Sequence, residues 1–301
     1  MSRYLEGKTI AVSGAGRGIG RAVAQQCAEA GANVVVNDYG VSIDGQEPTS
    51  AIADEVVEEI KKAGGKAVAN ANSVATMDGG ASIVKSAIDA FGRIDGVVCV
   101  AGILRERMLF NMAEEDWDPV IATHLKGTFT VFRAASAAMR EQKSGTLIGF
   151  TSGAFAGSVA QANYASAKGG IVSLVRSAAA GMHRYGVTAN CIAPVARTRM
   201  SANVPMEIGG IGDAEDVAPM VVYLLSDKAR QVTGQVYTVS GGKIAVWNQP
   251  LEARAMFKEG RWTPQEIEER LPGSIGVERM GLIDRLEQMR KAAAKGDKPN
   301  A

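Results

Sequence analysis

Residues Thr9 to Asp38 constrain the fold of this chain more than any others. Thr9-Ile-Ala-Val-Ser13 is an apolar run of β type, and Gly14, Gly18 and Gly20 follow it within a short turn. Arg21 to Ala30 then reads with helical periodicity and stops at Gly31, a residue suited to the position just past a helix end. A second apolar run, Asn33-Val-Val-Val-Asn37, closes on Asp38. Strand, glycine turn and helix start gather backbone N–H groups and the positive end of a helix dipole around one point, which makes a pocket for a pyrophosphate. An acid about 20 positions after the glycines stands where a ribose 2′-hydroxyl is held. Glycines at such spacing also serve close strand–helix packing alone. The order strand, glycines, helix, strand, acid favours binding.

Strand-like and helical segments alternate through most of the remainder, which argues a parallel sheet covered on both faces. Further strands are predicted at about 66–70, 96–100, 145–150, 187–192 and 235–239. Helices are predicted at about 50–63, 76–91, 114–141, 164–182 and 214–226. At 301 residues the chain can hold one large domain and an extension. The formal net charge of +1, with both signs well mixed, argues against nucleic acid or another polyanion as partner. No apolar run approaches the 18 or so residues of a membrane helix, and the N-terminus runs directly into the first strand with no signal-peptide pattern. A cytoplasmic protein is expected. Cys27, Cys99 and Cys191 are scattered in apolar surroundings and read as buried thiols, while His124 and His183 form no cluster, so no metal site is expected.

Tyr164-Ala-Ser-Ala-Lys168 puts a phenol and an ammonium group on one helix face. A free tyrosine has a pKa of about 10 and is a poor base at neutral pH. A nearby cation favours the phenolate, and reaching about 7 to 8 takes about 3 to 4 kcal/mol of differential interaction. Such a pair can take a proton from an alcohol. Tyrosine and lysine also meet at this spacing by chance, so the glycine turn is what gives the pair weight.

Together these segments resemble the short-chain dehydrogenase/reductase family, from about residue 5 to about residue 242. Gly14, Gly18 and Gly20 match its GxxxGxG turn, and Tyr164 and Lys168 match its active site. The phrases closing on Asp38, Asn70, Asp95, Arg105 and Tyr164 are similar to the (3R)-hydroxyacyl-CoA dehydrogenase part of the peroxisomal multifunctional enzyme, a branch that also includes 17-beta-hydroxysteroid dehydrogenases. The resemblance implies a doubly wound, Rossmann-like parallel sheet of seven strands with helices on both faces. It divides the chain into a dinucleotide-binding and catalytic domain, 1–242, and a helical C-terminal extension, 243–301. It also implies NAD(P)-dependent hydride transfer between a secondary alcohol and a ketone. Tyr164 is then the base, Lys168 holds the cofactor ribose, and a serine positions the substrate oxygen.

That serine can be placed in two ways. The family's usual spacing to the tyrosine points to Thr151, whereas counting from the strand Gly145 to Phe150 points to Ser152, which is preferred here. Other positions depart from the pattern. Cys99-Val100-Ala101-Gly102 replaces Asn-Asn-Ala-Gly, although Ala101 and Gly102 still permit close approach to the cofactor. His124 stands where the family has a catalytic asparagine; it either acts through its carbonyl and a water toward Lys168 or is a core or helix-kinking histidine. Pro194-Val195 replaces Pro-Gly by the nicotinamide, with Thr198 in position to bond the carboxamide. By resemblance Ser73 and Val74 lie by the adenine and Ile19 packs under the nicotinamide half.

For cofactor choice, Asp38 would bond both ribose hydroxyls and repel a 2′-phosphate, whereas Arg17 is a position where a basic residue often accompanies NADP. NAD is the preferred reading. The substrate class implied is a 3-hydroxyacyl-CoA thioester or a bulky steroid-like alcohol, with Arg105 and Arg107 either meeting an acidic group or simply solvated. An NADPH-dependent 3-oxoacyl carrier-protein reductase and a non-catalytic nucleotide-binding protein remain the alternatives. The helix from Tyr164 to Met182 is apolar on more than one face, as in a homodimer or homotetramer of this family. The stretch from Pro194 to Asp216 is shorter than the family's usual substrate cover. Trp247, Leu251, Met256, Phe257 and Trp262 of the extension are expected to complete the substrate pocket or a subunit contact. Thr263-Pro264-Gln265-Glu266 reads as a helix start, and Leu282, Ile283, Leu286 and Met289 suit one face of a terminal helix.

Overall fold

The computed structural model describes residues 3–40, 49–197 and 211–294, with side chains to Lys291. Seven strands lie parallel: β1 (Thr9–Ser13), β2 (Asn33–Asn37), β3 (Lys66–Asn70), β4 (Gly96–Cys99), β5 (Gly145–Phe150), β6 (Val187–Pro194) and β7 (Val236–Ser240). Their order is β3-β2-β1-β4-β5-β6-β7, and an eighth strand, β8 (Lys243–Val246), adds antiparallel to β7 at the edge. The sheet is thus one strand wider than the sequence suggested. Gly241-Gly242 is a two-residue hairpin turn rather than the end of the sheet, and Gly241 has φ +50° as such a turn requires.

Helices α1 (Gly18–Glu29), α2 (Ala51–Lys62) and α3 (Met77–Phe91) follow the first three strands. α4 (Glu114–Ile121) and α5 (Gly127–Gln142) precede β5, α6 (Ala162–Met182) precedes β6, and α7 (Ala218–Leu225) precedes β7. The strands carry continuous apolar runs because helices cover both faces: all of β1 and β4 are buried. One half of the core sets Ile10, Val34, Ile148 and Ile192 against Val23 of α1, Ile60 of α2 and Leu224 of α7. The other sets Val97, Leu147 and Ala189 against Ile83 of α3, Met139 of α5 and Ile171 of α6. Each fully buried large aliphatic side chain contributes about 1.5 to 3 kcal/mol.

The single helix expected over 114–141 is interrupted. Ala122–Lys126 forms a π turn between α4 and α5, with His124 inside it. Such turns shift the hydrogen-bond register by one residue and change where side chains point. Cys27, Cys99 and Cys191 are free and buried, and burial pushes each thiol up to about 12.

The chain forms two compact units, Met1–Trp247 and Asn248–Ala301. In the second, α8 (Pro264–Ser274) starts as the sequence indicated: Thr263 Oγ1 accepts the Glu266 N–H at 3.3 Å and the Glu266 carboxylate accepts the Thr263 N–H at 2.8 Å. Trp262 lies between Lys258 and Arg270, 5.6 and 4.8 Å from its ring centroid. α9 (Gly281–Ala294) follows.

Candidate active site

β1 and β4 are neighbours whose chain connections run to opposite sides of the sheet, so a crevice opens at their carboxyl ends. Backbone from both strands meets there. Gly14 has φ +66°, and a Cβ on it would lie 2.7 Å from the Cα of Ala101. A Cβ on Gly20 would lie 2.0 Å from the Gly14 carbonyl oxygen. Gly18 opens α1, and Arg17 before it is exposed and supplies no side-chain cap, so the first-turn N–H groups face the crevice uncapped. Ile19, half-buried, packs on the core behind them. A side chain at Gly14 or Gly20 would collide with the neighbouring backbone, so the turn can close this tightly only with glycine at both positions.

Asp38 follows the last residue of β2, beside this turn. Its Oδ2 accepts the Gly16 N–H at 2.8 Å and its Oδ1 accepts the Gly40 N–H at 2.7 Å. The carboxylate is therefore fixed at the mouth of the glycine turn. Behind it, Asn37 Nδ2 donates to Asn70 Oδ1 at 3.0 Å and to the carbonyls of Asn70 and Asn72 at 3.1 and 2.9 Å. This network, which the sequence reading did not pick out, fixes the chain leading to Ser73 and Val74. Ser73 Oγ accepts the Ala75 N–H at 3.3 Å, and the Val74 carbonyl accepts the Thr130 hydroxyl at 2.7 Å. Its signal was available: Asn37 and Asn70 are paired neighbours at the ends of adjacent strands.

Tyr164 lies in the first turn of α6, and Lys168 follows one turn later with Nζ 5.3 Å from the tyrosine ring centroid. Lys168 Nζ donates to the Phe150 carbonyl at 2.6 Å, tying α6 to the end of β5. The next two residues have opposite fates. Thr151 is buried with its hydroxyl donated to the Lys168 carbonyl at 2.9 Å, whereas Ser152, whose Oγ accepts the Ala154 N–H at 3.3 Å, stands close enough to the Tyr164 phenol to draw its pKa down.

His124 is buried, and the π turn sets its ring edge-on to Tyr164, with centroids 5.2 Å apart and planes at 87°. Its Nε2 lies 2.8 Å from the Ile103 carbonyl oxygen and 3.2 Å from the Ile103 backbone nitrogen, and Nδ1 has no hydrogen-bond partner among the described residues. A Cβ on Gly102 would lie 2.2 Å from His124 Cε1, so glycine there is required by the imidazole. The His124 carbonyl accepts the Thr128 hydroxyl at 2.7 Å. Ala101 and Gly102 lead from β4 into this contact. Pro194 ends β6, and Val195 donates its N–H to Val239 at 2.8 Å, continuing the β6–β7 ladder. Thr198 lies outside the described residues.

Burial dominates the electrostatics. It raises the Tyr164 phenol above its usual value, an effect that the Ser152 hydrogen bond opposes. It lowers Lys168 to about 7, and lowers His124 to about 3 with help from the Lys168 charge. A desolvated site penalises phenolate and ammonium alike, so the cofactor ring has to act together with Lys168 to draw the tyrosine down. His124 is neutral over the working range.

Arg105 is half-buried and donates to the Glu115 carbonyl at 2.8 Å, whereas Arg107 is exposed with Nε 3.6 Å from Asp116. A polar cleft of about 250 Å³ also opens at the amino end of the sheet, but its charges pair among themselves, as in Lys8–Asp227 at 2.8 Å and Arg93–Asp95 at 2.6 Å. The proton-transfer groups are all at the carboxyl end. No cluster of three or more His, Cys, Asp or Glu side chains suited to a metal occurs among the described residues.

A family model described as "Enoyl-(Acyl carrier protein) reductase" matches residues 14–243. A crystal structure of a short chain dehydrogenase from Mycobacterium avium superposes with TM-score 0.82 at 45% identity, covering 92% of this chain and 97% of that one. Hydroxyacyl-CoA dehydrogenase ChsB1 of Mycobacterium tuberculosis is 40% identical over 280 residues, 87% of either chain. The mouse peroxisomal multifunctional enzyme type 2 is 40% identical over 267 residues, which cover 87% of this chain and 36% of that longer protein. Proteins of this kind bind NAD(P). The cradle at Gly14 to Gly20 and the carboxylate of Asp38 fit such a dinucleotide. By sequence, fold and site, the chain belongs to the short-chain dehydrogenase/reductase family and is an oxidoreductase.

Proposed function

We propose that this oxidoreductase interconverts a 3-hydroxyacyl-CoA and its 3-ketone with NAD as the cofactor. The observation that carries the reading is Tyr164 with Lys168 Nζ 5.3 Å from its ring centroid and Ser152 beside its phenol, at the carboxyl end of the sheet where the glycine turn lies. NAD, when bound, supplies the two-electron acceptor for the carbinol hydride. Ser152 donates a hydrogen bond to the substrate oxygen, and Tyr164 takes the hydroxyl proton in oxidation and returns it in reduction. Lys168, anchored on Phe150, presents its charge beside the tyrosine and to the cofactor ribose. His124 holds the Gly102–Ile103 turn and packs the tyrosine edge, a positioning role for a neutral ring. The names of relatives support the thioester, and so does the exposed run Met108-Leu109-Phe110 next to Arg107, which offers an acyl chain apolar contact beside a cation. Incubation with NAD and a panel of 3-hydroxyacyl-CoAs and steroid alcohols tests the reading; turnover of none of them contradicts it.

Asp38 supports NAD over NADP. With both oxygens fixed by Gly16 and Gly40, the carboxylate cannot turn away from a 2′-phosphate, and like charges at close range cost several kcal/mol. Asp38→Ala is expected to relax the kcat/KM preference for NAD by about 10²-fold. Equal use of both cofactors by the unaltered enzyme would show that Asp38 does not govern the choice. The same carboxylate opposes the carrier-protein reductase reading insofar as that reaction uses NADPH.

The unit 248–301 is proposed to complete the substrate site or a contact within a homodimer or homotetramer. It exposes Leu251 and Phe257 at 85% and 81%, more apolar surface than a solvated appendage needs. Trp247, by contrast, belongs to the catalytic unit, where it stacks on Phe155 at 4.5 Å and donates to Thr238 at 2.9 Å. Truncation after Trp247 is expected to raise the substrate KM or alter the oligomer measured by sizing. Survival of both would make the unit an appendage. No helix among the described residues is long and apolar enough to cross a membrane.

A further inference from the structure

Asn163 stands immediately before Tyr164 and is buried to 1% exposure. Its amide is fully engaged. Nδ2 donates to the carbonyl oxygens of Arg105 at 2.8 Å and Asp116 at 2.7 Å, while Oδ1 accepts the Tyr164 N–H at 2.7 Å. Arg105 and Asp116 lie on the segment that leaves β4 and enters α4. The Tyr164 N–H is one of the donors that the start of α6 leaves without a helical partner. One side chain thus joins the tyrosine backbone to the chain that runs past it.

Other bonds hold the same segment. The Arg107 N–H donates to the Ala160 carbonyl at 2.8 Å, and Ala160 itself sits at φ +59°, a conformation that an alanine keeps only when its surroundings impose it. At the other end, the Ile103 carbonyl meets His124 Nε2 at 2.8 Å. Ile103 to Arg107 is therefore fixed at three points, by His124, Asn163 and Ala160. Two of those residues, His124 and Asn163, also touch Tyr164, one through its ring and one through its backbone.

We infer that Asn163 is a positioning residue, which holds the Ile103–Arg107 segment and Tyr164 in one frame so that an alcohol lying against the segment meets the phenol in register. The inference rests on the alcohol-oxidising reading of the site. A helix cap alone needs only an oxygen to accept the Tyr164 N–H, and aspartate or serine supplies one. The two donations to Arg105 and Asp116 need the amide nitrogen. Aspartate cannot make them, and it sets a carboxylate against two carbonyl oxygens.

The test compares the unaltered enzyme with Asn163→Asp and Asn163→Ala, measuring kcat, substrate KM and NAD affinity separately. Loss of register is expected to lower kcat by about 10²-fold in both variants, with NAD affinity unchanged. Full kcat in Asn163→Asp would reduce the residue to a helix cap, and full kcat in Asn163→Ala would remove any role; either overturns the inference. Should the alanine variant not fold, Asn163→Ser, which keeps an acceptor for the helix start, is measured in its place, and failure of both to fold marks Asn163 as structural and overturns it too. If the unaltered enzyme turns over no alcohol, the functional reading falls and takes the inference with it. Turnover by the unaltered enzyme with undiminished variants contradicts the inference alone.

Discussion

Tyr164→Phe is expected to lower turnover by about 10³-fold while leaving NAD affinity essentially unchanged, because only the proton-carrying oxygen is lost. The ring remains to pack against His124 and beneath Lys168, so the fold and the cradle have no reason to alter. Burial holds the unaltered phenol protonated past its usual range. The sign of the pH dependence follows. Reduction needs the phenol and should stay level through neutral pH, whereas oxidation needs the phenolate and should climb with pH through and past the ordinary tyrosine range. Whatever rate survives in the phenylalanine variant should lack that climb. Steady-state rates in both directions across pH check this, and near-normal turnover would remove Tyr164 from the mechanism.

The second large effect separates two adjacent hydroxyls. Ser152→Ala is expected to lower kcat by about 10² to 10³-fold with little change in stability, because Ser152 is only half-buried and stands beside the phenol. Thr151→Val is expected to do the reverse. It deletes the buried bond to the Lys168 carbonyl at 2.9 Å and should cost about 1 to 3 kcal/mol of stability while leaving most of the chemistry. Denaturation midpoints and kcat, measured on both variants, give the comparison. The opposite order would give Thr151 the role proposed for Ser152.

That pair also shows where the sequence stopped being informative. Thr151 and Ser152 are both hydroxyls at the end of a strand, and spacing arguments pointed to each in turn. Only the direction of each side chain decides, and the extended chain just beyond β5 sends Thr151 toward α6 and Ser152 away from it. The doubly wound order was legible because β1 to β7 carry apolar runs of the length a covered parallel strand needs. β8 was not, since Ile244 and Val246 are each 59% exposed and Lys243-Ile-Ala-Val246 shows no alternation of a half-buried strand. Gly241-Gly242 was a hairpin signal that was read as a boundary. The π turn at His124 was legible only as one of two readings, a helix-kinking histidine, because a one-residue change of hydrogen-bond register leaves the apolar periodicity of 114–141 almost intact.

Asn163 was hidden for a different reason. Its partners lie 58 and 47 positions away, on a segment with no regular structure to predict from. Cradle glycines and the Tyr–Lys spacing are local patterns that a sequence displays directly. The supports that aim them, Asn163, Asn37 and the Gly102–His124 contact, depend on which loops the sheet order brings together. Burial was legible in kind but not in consequence: the spacing from Tyr164 to Lys168 says nothing of the enclosure that lowers the lysine to about 7.

Direct transfer of hydrogen from substrate carbon to nicotinamide is the central claim, and isotope labelling tests it most directly. A 3-hydroxyacyl-CoA carrying deuterium on C3 is incubated with the enzyme and NAD, and the nicotinamide product is weighed by mass spectrometry. The expected result is reduced cofactor carrying the deuterium, formed by the unaltered enzyme and not by Tyr164→Phe. Reduced cofactor without the label, or no reduction at all of NAD by the unaltered enzyme, would contradict the account.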